Sequence, residues 1–292
     1  MRKIVKLLLV VLLFSVFTPT VEAKTTKLTV KKSINLVTIG DSLTEGIGDT
    51  KKQGGYEKRT AKLLEQTYPV TVKTANYGKA GDRSDQILAR IKKNPSALKV
   101  IAKADVIVMT AGGNDLQQEL FKLVTTKDAA DILPKVDKQT TNYHKSLNQL
   151  VSYVRTKNKT APIFLFGNYN PLYVYLANRP DLNNAVHLYN GVNWAVTKEH
   201  KKMYYVTIFK TLTYGQYQTK TAQKALAKES AEAAKGSTKN KLVEETLNGP
   251  NNEKNEYITT EDHYHPNDLG YDKMSQALVG VMIKNKKEWL YK

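Results

Sequence analysis

Five short stretches of this chain hold polar residues whose types and spacing suit nucleophilic and acid–base chemistry. VTIGDSLTEGIGD, residues 37–49, places Ser42 behind a short apolar run, next to Asp41 and ahead of Gly46 and Gly48. Further along stand NYGKAGD (Asn76 to Asp82), Gly112-Gly113-Asn114-Asp115, Gly167-Asn168-Tyr169-Asn170 and Asp262-His263-Tyr264-His265-Pro266. A serine, a histidine and an acid are the parts of a nucleophilic triad, in which the base takes the hydroxyl proton and the acid orients the base. Backbone N–H groups at a helix start and a side-chain amide are the donors that hold a developing oxyanion.

Each stretch also has a plain reading. Ser42-Leu43-Thr44-Glu45 fits a capping box, serine at the N-cap and glutamate three residues on, although Gly46 and Gly48 make a poor continuation of any helix. Asp41 reads as a brace for the turn rather than a reacting group. His263 and His265, two apart, would share a face of an extended segment and could ligate a metal, but no cysteine and no nearby histidine completes a set. His144, His187 and His200 fall in helical stretches and read as structural. Gly46-Ile47-Gly48 lacks the third glycine of a dinucleotide turn, and no Gly-Lys-Ser/Thr follows a strand, so no cofactor is expected. Tyr169, Asn170, Tyr173 and Tyr175 either line a substrate pocket or pack.

The elements that must position these residues are legible as apolar, β-branched runs: Ile34 to Ile39, Val70 to Ala75, Asp105 to Thr110, Pro162 to Phe166 and Met203 to Phe209. Helical spacing intervenes at Tyr56 to Gln66, Asp85 to Ile91, Tyr143 to Val154 and Leu182 to His200, and a last helix runs from Leu269 to about Leu290. Parallel strands need crossovers, which helices supply, so the alternation predicts a three-layer α/β/α sandwich around a mainly parallel sheet of about five strands. Ligands of such sheets gather outside the carboxyl ends of the strands, where the polar stretches lie. Residues 219–256 break the rhythm, Lys/Ala/Glu-rich and then polar, and read as an excursion that either covers the site as a lid or is a solvated surface segment.

The four blocks Gly40-Asp41-Ser42-Leu43, Gly78 within NYGKAGD, Asn114 within GGND, and Asp262 with His265 within DHYHP stand in an order that resembles the SGNH hydrolases of the GDSL esterase/lipase family, in its exported Gram-positive type. The resemblance covers roughly residues 34 to 285 and implies the flavodoxin-like fold of that family. It implies a nucleophile at Ser42, a general base at His265 oriented by Asp262, and an oxyanion hole of the Ser42 and Gly78 N–H groups and the Asn114 amide. It implies an ester of a glycan, lipid or small alcohol as substrate. The sharp elbow of α/β-hydrolases, Gly-x-Ser-x-Gly, is not written here, since Thr44 stands two residues after Ser42.

Ahead of the domain, Arg2, Lys3 and Lys6 precede an apolar run from Leu7 to Phe17, with Val21 and Ala23 at the positions a signal peptidase reads. Residues 1–23 are expected to be a signal peptide cleaved after Ala23, with an uncleaved anchor as the alternative, and residues 24–33 a linker to a domain at 34–292. With no cysteine, an exported fold takes nothing from disulfides. The formal charge is +18, and removing Arg2, Lys3 and Lys6 against Glu22 lowers it by two to +16. Such a field favours anionic polymers of a cell wall or membrane surface. The cations are not gathered with aromatics into a nucleic-acid module, so nucleic acid is not an expected partner, and a monomer is expected. Three functions follow: an exported ester hydrolase, an O-acyltransferase whose acyl-enzyme a sugar hydroxyl resolves, or a wall-binding protein without turnover.

Overall fold

The computed structural model describes residues 28–124, 132–235 and 253–292; the leader at 1–23 and most of the polar half of the 219–256 excursion lie outside them. Five strands, β1 (Ser33–Gly40), β2 (Thr71–Gly78), β3 (Val106–Met109), β4 (Ile163–Phe166) and β5 (Met203–Val206), form one sheet in the order β2-β1-β3-β4-β5. Every pairing is parallel.

Even-numbered side chains of the strands, Ile34, Leu36, Val106, Val108, Phe164 and Phe166, face one core. Odd-numbered ones, Val37, Ile39, Ile107, Met109, Ile163 and Leu165, face the other. With both faces buried, the central strands need continuous apolar runs, which the sequence supplies. The even face packs against α2 (Tyr56–Thr67) and α10 (Asp268–Lys284) through Tyr56, Leu64, Met274, Leu278 and Met282. The odd face is covered by α3 (Ser84–Lys92), α4 (Pro95–Ala102), α6 (Ile132–Lys157) and α7 (Pro180–Glu199). The remaining helices are α1 (Ser42–Glu45), α5 (Gly113–Val124), α8 (Phe209–Tyr214) and α9 (Lys220–Ala233).

Three expectations change. Residues 28–32 are not a free linker: Val30 bridges to Tyr291, and the Lys31 N–H donates to the Leu290 carbonyl at 2.9 Å. The fifth strand stops at Val206, because Phe209 turns its backbone into α8 and its ring into the odd-face core. The last helix ends at Lys284, and a single 3-10 turn, Lys286–Glu288, then carries Trp289 and Leu290 back under the even face. Among the described residues, no helix is long and apolar enough to cross a membrane.

Candidate active site

The nucleophile candidate sits where β1 ends. A Cβ at Gly40 would lie 2.2 Å from Thr110 Oγ1, so only glycine lets the ends of β1 and β3 come this close. Asp41 is extended and caps α1, its Oδ1 accepting the Leu43 N–H at 3.1 Å and the Thr110 hydroxyl at 2.7 Å. Asp41 is therefore the N-cap, and Ser42 is the first helical residue with its hydroxyl released from capping. Glu45 does not close a box either; its carboxylate accepts the Ala80 N–H. Burial pushes the Asp41 carboxyl above its ordinary value, and the Thr110 and Leu43 donors pull part of that back.

The base arrives from the loop before α10. Ser42 Oγ lies 2.8 Å from His265 Nε2, and His265 Nδ1 lies 2.6 Å from Asp262 Oδ2. A proton on Nδ1 is donated to Asp262, which leaves Nε2 to accept from the serine hydroxyl. Asp262 Oδ1 accepts the N–H groups of Tyr264 and His265, each at 2.9 Å. Burial alone would raise the Asp262 carboxyl, but the His265 side chain and these two N–H groups outweigh it and hold the group below its ordinary value. The loop is closed by the Thr259 N–H on the His265 carbonyl at 2.9 Å, and Tyr169 donates its hydroxyl to the Tyr264 carbonyl at 2.7 Å.

Three oxyanion donors were expected, and the structure treats them differently. The Ser42 N–H, at the start of α1, has no acceptor among the described residues. Asn114, in the first turn of α5, uses one amide proton on the Asp82 carbonyl at 3.0 Å, which leaves its second for a ligand. Gly78 is a correction: its N–H already donates to Asn76 Oδ1 at 2.9 Å, and a Cβ there would lie 2.1 Å from the Glu45 nitrogen. Its glycine serves the close packing of β2 against α1. Gly81 is the glycine that opens onto space: it is exposed at φ +81°, a Cβ would meet nothing within 4 Å, and its N–H has no acceptor among the described residues. It directly precedes Asp82, whose carbonyl holds Asn114.

Arg90 ties this corner together, donating to the Gly40 carbonyl at 2.9 Å, the Tyr77 carbonyl at 3.1 Å and Asp82 Oδ2 at 2.6 Å. Sequence reasoning passed over Arg90, Thr110 and Gly81. For Thr110 and Gly81 a signal existed, since Thr110 directly follows β3 and Gly81 stands in NYGKAGD. The arginine lies in the last turn of α3, and only the fold brings it to the strand ends.

The remaining candidates divide as follows. His263 and His265 do not share a face; His263 turns away, its Nδ1 2.6 Å from Glu253 Oε2. His144 bonds Glu199 at 2.7 Å, His200 bonds Asn148 at 2.7 Å and His187 lies against Phe209, all on α6, α7 or their ends. Tyr169, Asn170 and Tyr173 are buried and pack. Asn170 bonds Asn183 at 2.8 Å, and Tyr173 meets Tyr214 edge-on. Tyr175 joins the His263 cluster.

Residues 38–273 match the GDSL-like lipase/acylhydrolase family, a span that includes Ser42, Asn114, Asp262 and His265. The chain belongs to that family. Among curated relatives, the uncharacterized protein YpmR of Bacillus subtilis is 31% identical over 175 residues, 59% of this chain and 64% of that protein. The spore germination lipase LipC of Bacillus licheniformis is 29% identical over 139 residues, 48% of this chain and 65% of that protein. The chain thus matches just under two thirds of the length of either relative. Solved structures of similar fold include the lipase Lip_vut3 from a goat rumen metagenome, with a TM-score of 0.58 at 20% identity over 85% of this chain and 96% of that one. Another is the acetylxylan esterase Axe2 of Geobacillus stearothermophilus, with a TM-score of 0.52 at 17% identity over 85% and 93%. Both share the family's sheet and helix layers, and at these identities the likeness is one of fold.

Proposed function

We propose that the protein is an exported, serine-dependent carboxyl-ester hydrolase that works through an acyl-enzyme on Ser42. The observation that carries this reading is the hydrogen-bonded line Ser42 Oγ, His265, Asp262, with contacts of 2.8 and 2.6 Å. In the first half-reaction His265 Nε2 takes the serine proton as Oγ attacks the ester carbonyl, and then gives that proton to the departing alcohol. In the second half, water gives its proton to His265 and its oxygen to the acyl carbon, and Ser42 leaves with the proton returned. Asp262 stays ionised throughout and stabilises the imidazolium. The oxyanion is held by the Ser42 N–H, the Asn114 amide and, in place of the Gly78 N–H, the Gly81 N–H.

Lipase and acetylxylan esterase activities named for the similar proteins agree with an ester of a lipid, an acylated glycan or a small alcohol. Export is supported by the basic and apolar pattern of residues 1–23. The net charge, +18 for the whole chain and +16 without residues 1–23, favours work among anionic wall polymers.

The test is turnover of short- and long-chain p-nitrophenyl esters by wild type, Ser42→Ala and His265→Ala. The proposal expects both variants to lose at least about a thousandfold in kcat while remaining folded. Wild-type turnover that survives in Ser42→Ala would place the chemistry elsewhere.

A further inference from the structure

The loop Asp262-His263-Tyr264-His265 carries two histidine–carboxylate pairs, and the proposed mechanism uses one. The second is His263 with Glu253, joined at 2.6 Å, with 5% and 2% of their side chains exposed. Two further observations bear on it. His263 has φ +53°, and it is the buried member of the three non-glycine residues with positive φ among the described residues, since Lys52 and Lys202 are exposed. A left-handed histidine is strained and persists only where its surroundings over-determine it.

The surroundings do so from three sides. Tyr175 sets its ring edge-on to the imidazole at 90° with centroids 6.1 Å apart, and its hydroxyl accepts the Lys254 N–H at 2.9 Å. Glu253 Oε1 accepts the Asn255 N–H at 2.7 Å. Asn255 in turn donates to the Leu212 carbonyl on α8 at 2.7 Å, and so fastens the pair to the element that follows β5. The His263 N–H donates to the Thr259 carbonyl at 3.2 Å, inside the loop.

We propose that His263, clamped by Glu253, is a positioning residue for the Asp262–His265 pair. The left-handed turn at His263 reverses the chain between its neighbours, which lets Asp262 Oδ1 collect the N–H groups of Tyr264 and His265 while Oδ2 meets the His265 ring. An extended residue at 263 would carry Tyr264 and His265 away from Asp262 and swing Nε2 off Ser42 Oγ. Glu253 is the force that holds the turn, because a buried carboxylate has to keep its donor. His263 touches neither substrate nor the reacting atoms.

This inference rests on the reading of Ser42 and His265 as the reacting pair, and the experiment separates the two. Steady-state kinetics with p-nitrophenyl acetate are measured on the full chain, each variant well below its own melting midpoint. The variants are Ser42→Ala, Glu253→Gln, His263→Gly, His263→Asn and the double Glu253→Gln/His263→Gly. Glycine adopts the left-handed turn freely but loses the clamp, glutamine keeps the shape of Glu253 without its charge, and asparagine tolerates the turn and can still bond Glu253. Glu253→Gln and His263→Gly are expected to lower kcat about 10- to 100-fold with KM nearly unchanged, the size of effect that misplacing a reacting group produces. His263→Asn should recover much of that loss, and the double variant should be no slower than His263→Gly alone, since the two act as a unit. Wild-type kcat in Glu253→Gln and His263→Gly, with only a lower melting midpoint, would overturn the inference by showing a purely structural pair. Should His263→Gly fail to fold, Glu253→Gln decides alone. A wild-type protein without Ser42-dependent turnover would remove the underlying reading, and the inference would fall with it.

Discussion

Ser42 is free to act because Asp41 does the capping. The order Asp-Ser puts the better-placed acceptor one residue earlier, so the helix start is satisfied without the hydroxyl. Asn114→Ala should cost about 3 kcal/mol of transition-state stabilisation, read as a 100- to 1,000-fold fall in kcat with KM little changed. Asp262 gives a pH signature. Its carboxyl is held below the ordinary value in the folded state, so its stabilising contribution is complete above the unfolded-state pKa of about 3.9 and disappears as pH falls through the lower folded-state value. The stability gap between wild type and Asp262→Asn, from denaturant melts, should be flat at neutral pH and shrink only on acidification below about pH 4. A gap that vanishes near neutrality would contradict that sign. The blocks holding Ser42, Asn114, Asp262 and His265 were legible because each follows a strand or precedes a helix. The choice between Gly78 and Gly81 was not, since it depends on where β2 stops: the strand runs through Gly78, and Gly81 falls in the turn beyond.

The strand ends are joined by side chains from neighbouring elements, and these joints make separate predictions. Thr110, just past β3, donates to Asp41 Oδ1, accepts the Asp41 N–H at 3.3 Å and lies 2.8 Å from Thr44 Oγ1. Thr110→Val leaves these buried groups short of partners and should cost about 1–3 kcal/mol, seen as a lower melting midpoint by about 2–4 °C per kcal/mol. Arg90→Ala releases the Gly40 and Tyr77 carbonyls and Asp82 together, so kcat should fall with little change in KM; an unchanged kcat would mean that the Gly81–Asp82 turn holds without it. The sequence announced the helices with clear apolar spacing but not α5, whose first residues follow Gly112 and include Gly113, both poor helix formers. Helix α4 did carry a signal, Asn94 at the cap and Pro95 at the first position, which periodicity alone passes over. Helix α6 begins eleven residues before the periodic stretch at Tyr143, and its buried Ile132 and Val136 carry the apolar spacing back through a segment, Lys135 to Asn142, that is otherwise polar.

At the scale of the whole molecule, one sheet collects the candidate catalytic groups at its carboxyl edge, while the net positive charge, +16 without the leader, is a separate property. Adsorption to anionic vesicles or wall polymer should weaken steeply as salt is raised past physiological strength, where the screening length is about 8 Å. Ser42→Ala should adsorb as wild type does. Adsorption lost in that variant would tie charge to catalysis.

The central claim is the acyl-enzyme on Ser42, and rapid quenching of wild type with p-nitrophenyl acetate, followed by peptide mass spectrometry, tests it most directly. The account predicts one acetyl group on the peptide containing Ser42, formed at the rate of the nitrophenol burst and absent from Ser42→Ala. Turnover with an acetyl group on another residue, or an undiminished burst in Ser42→Ala, would contradict it.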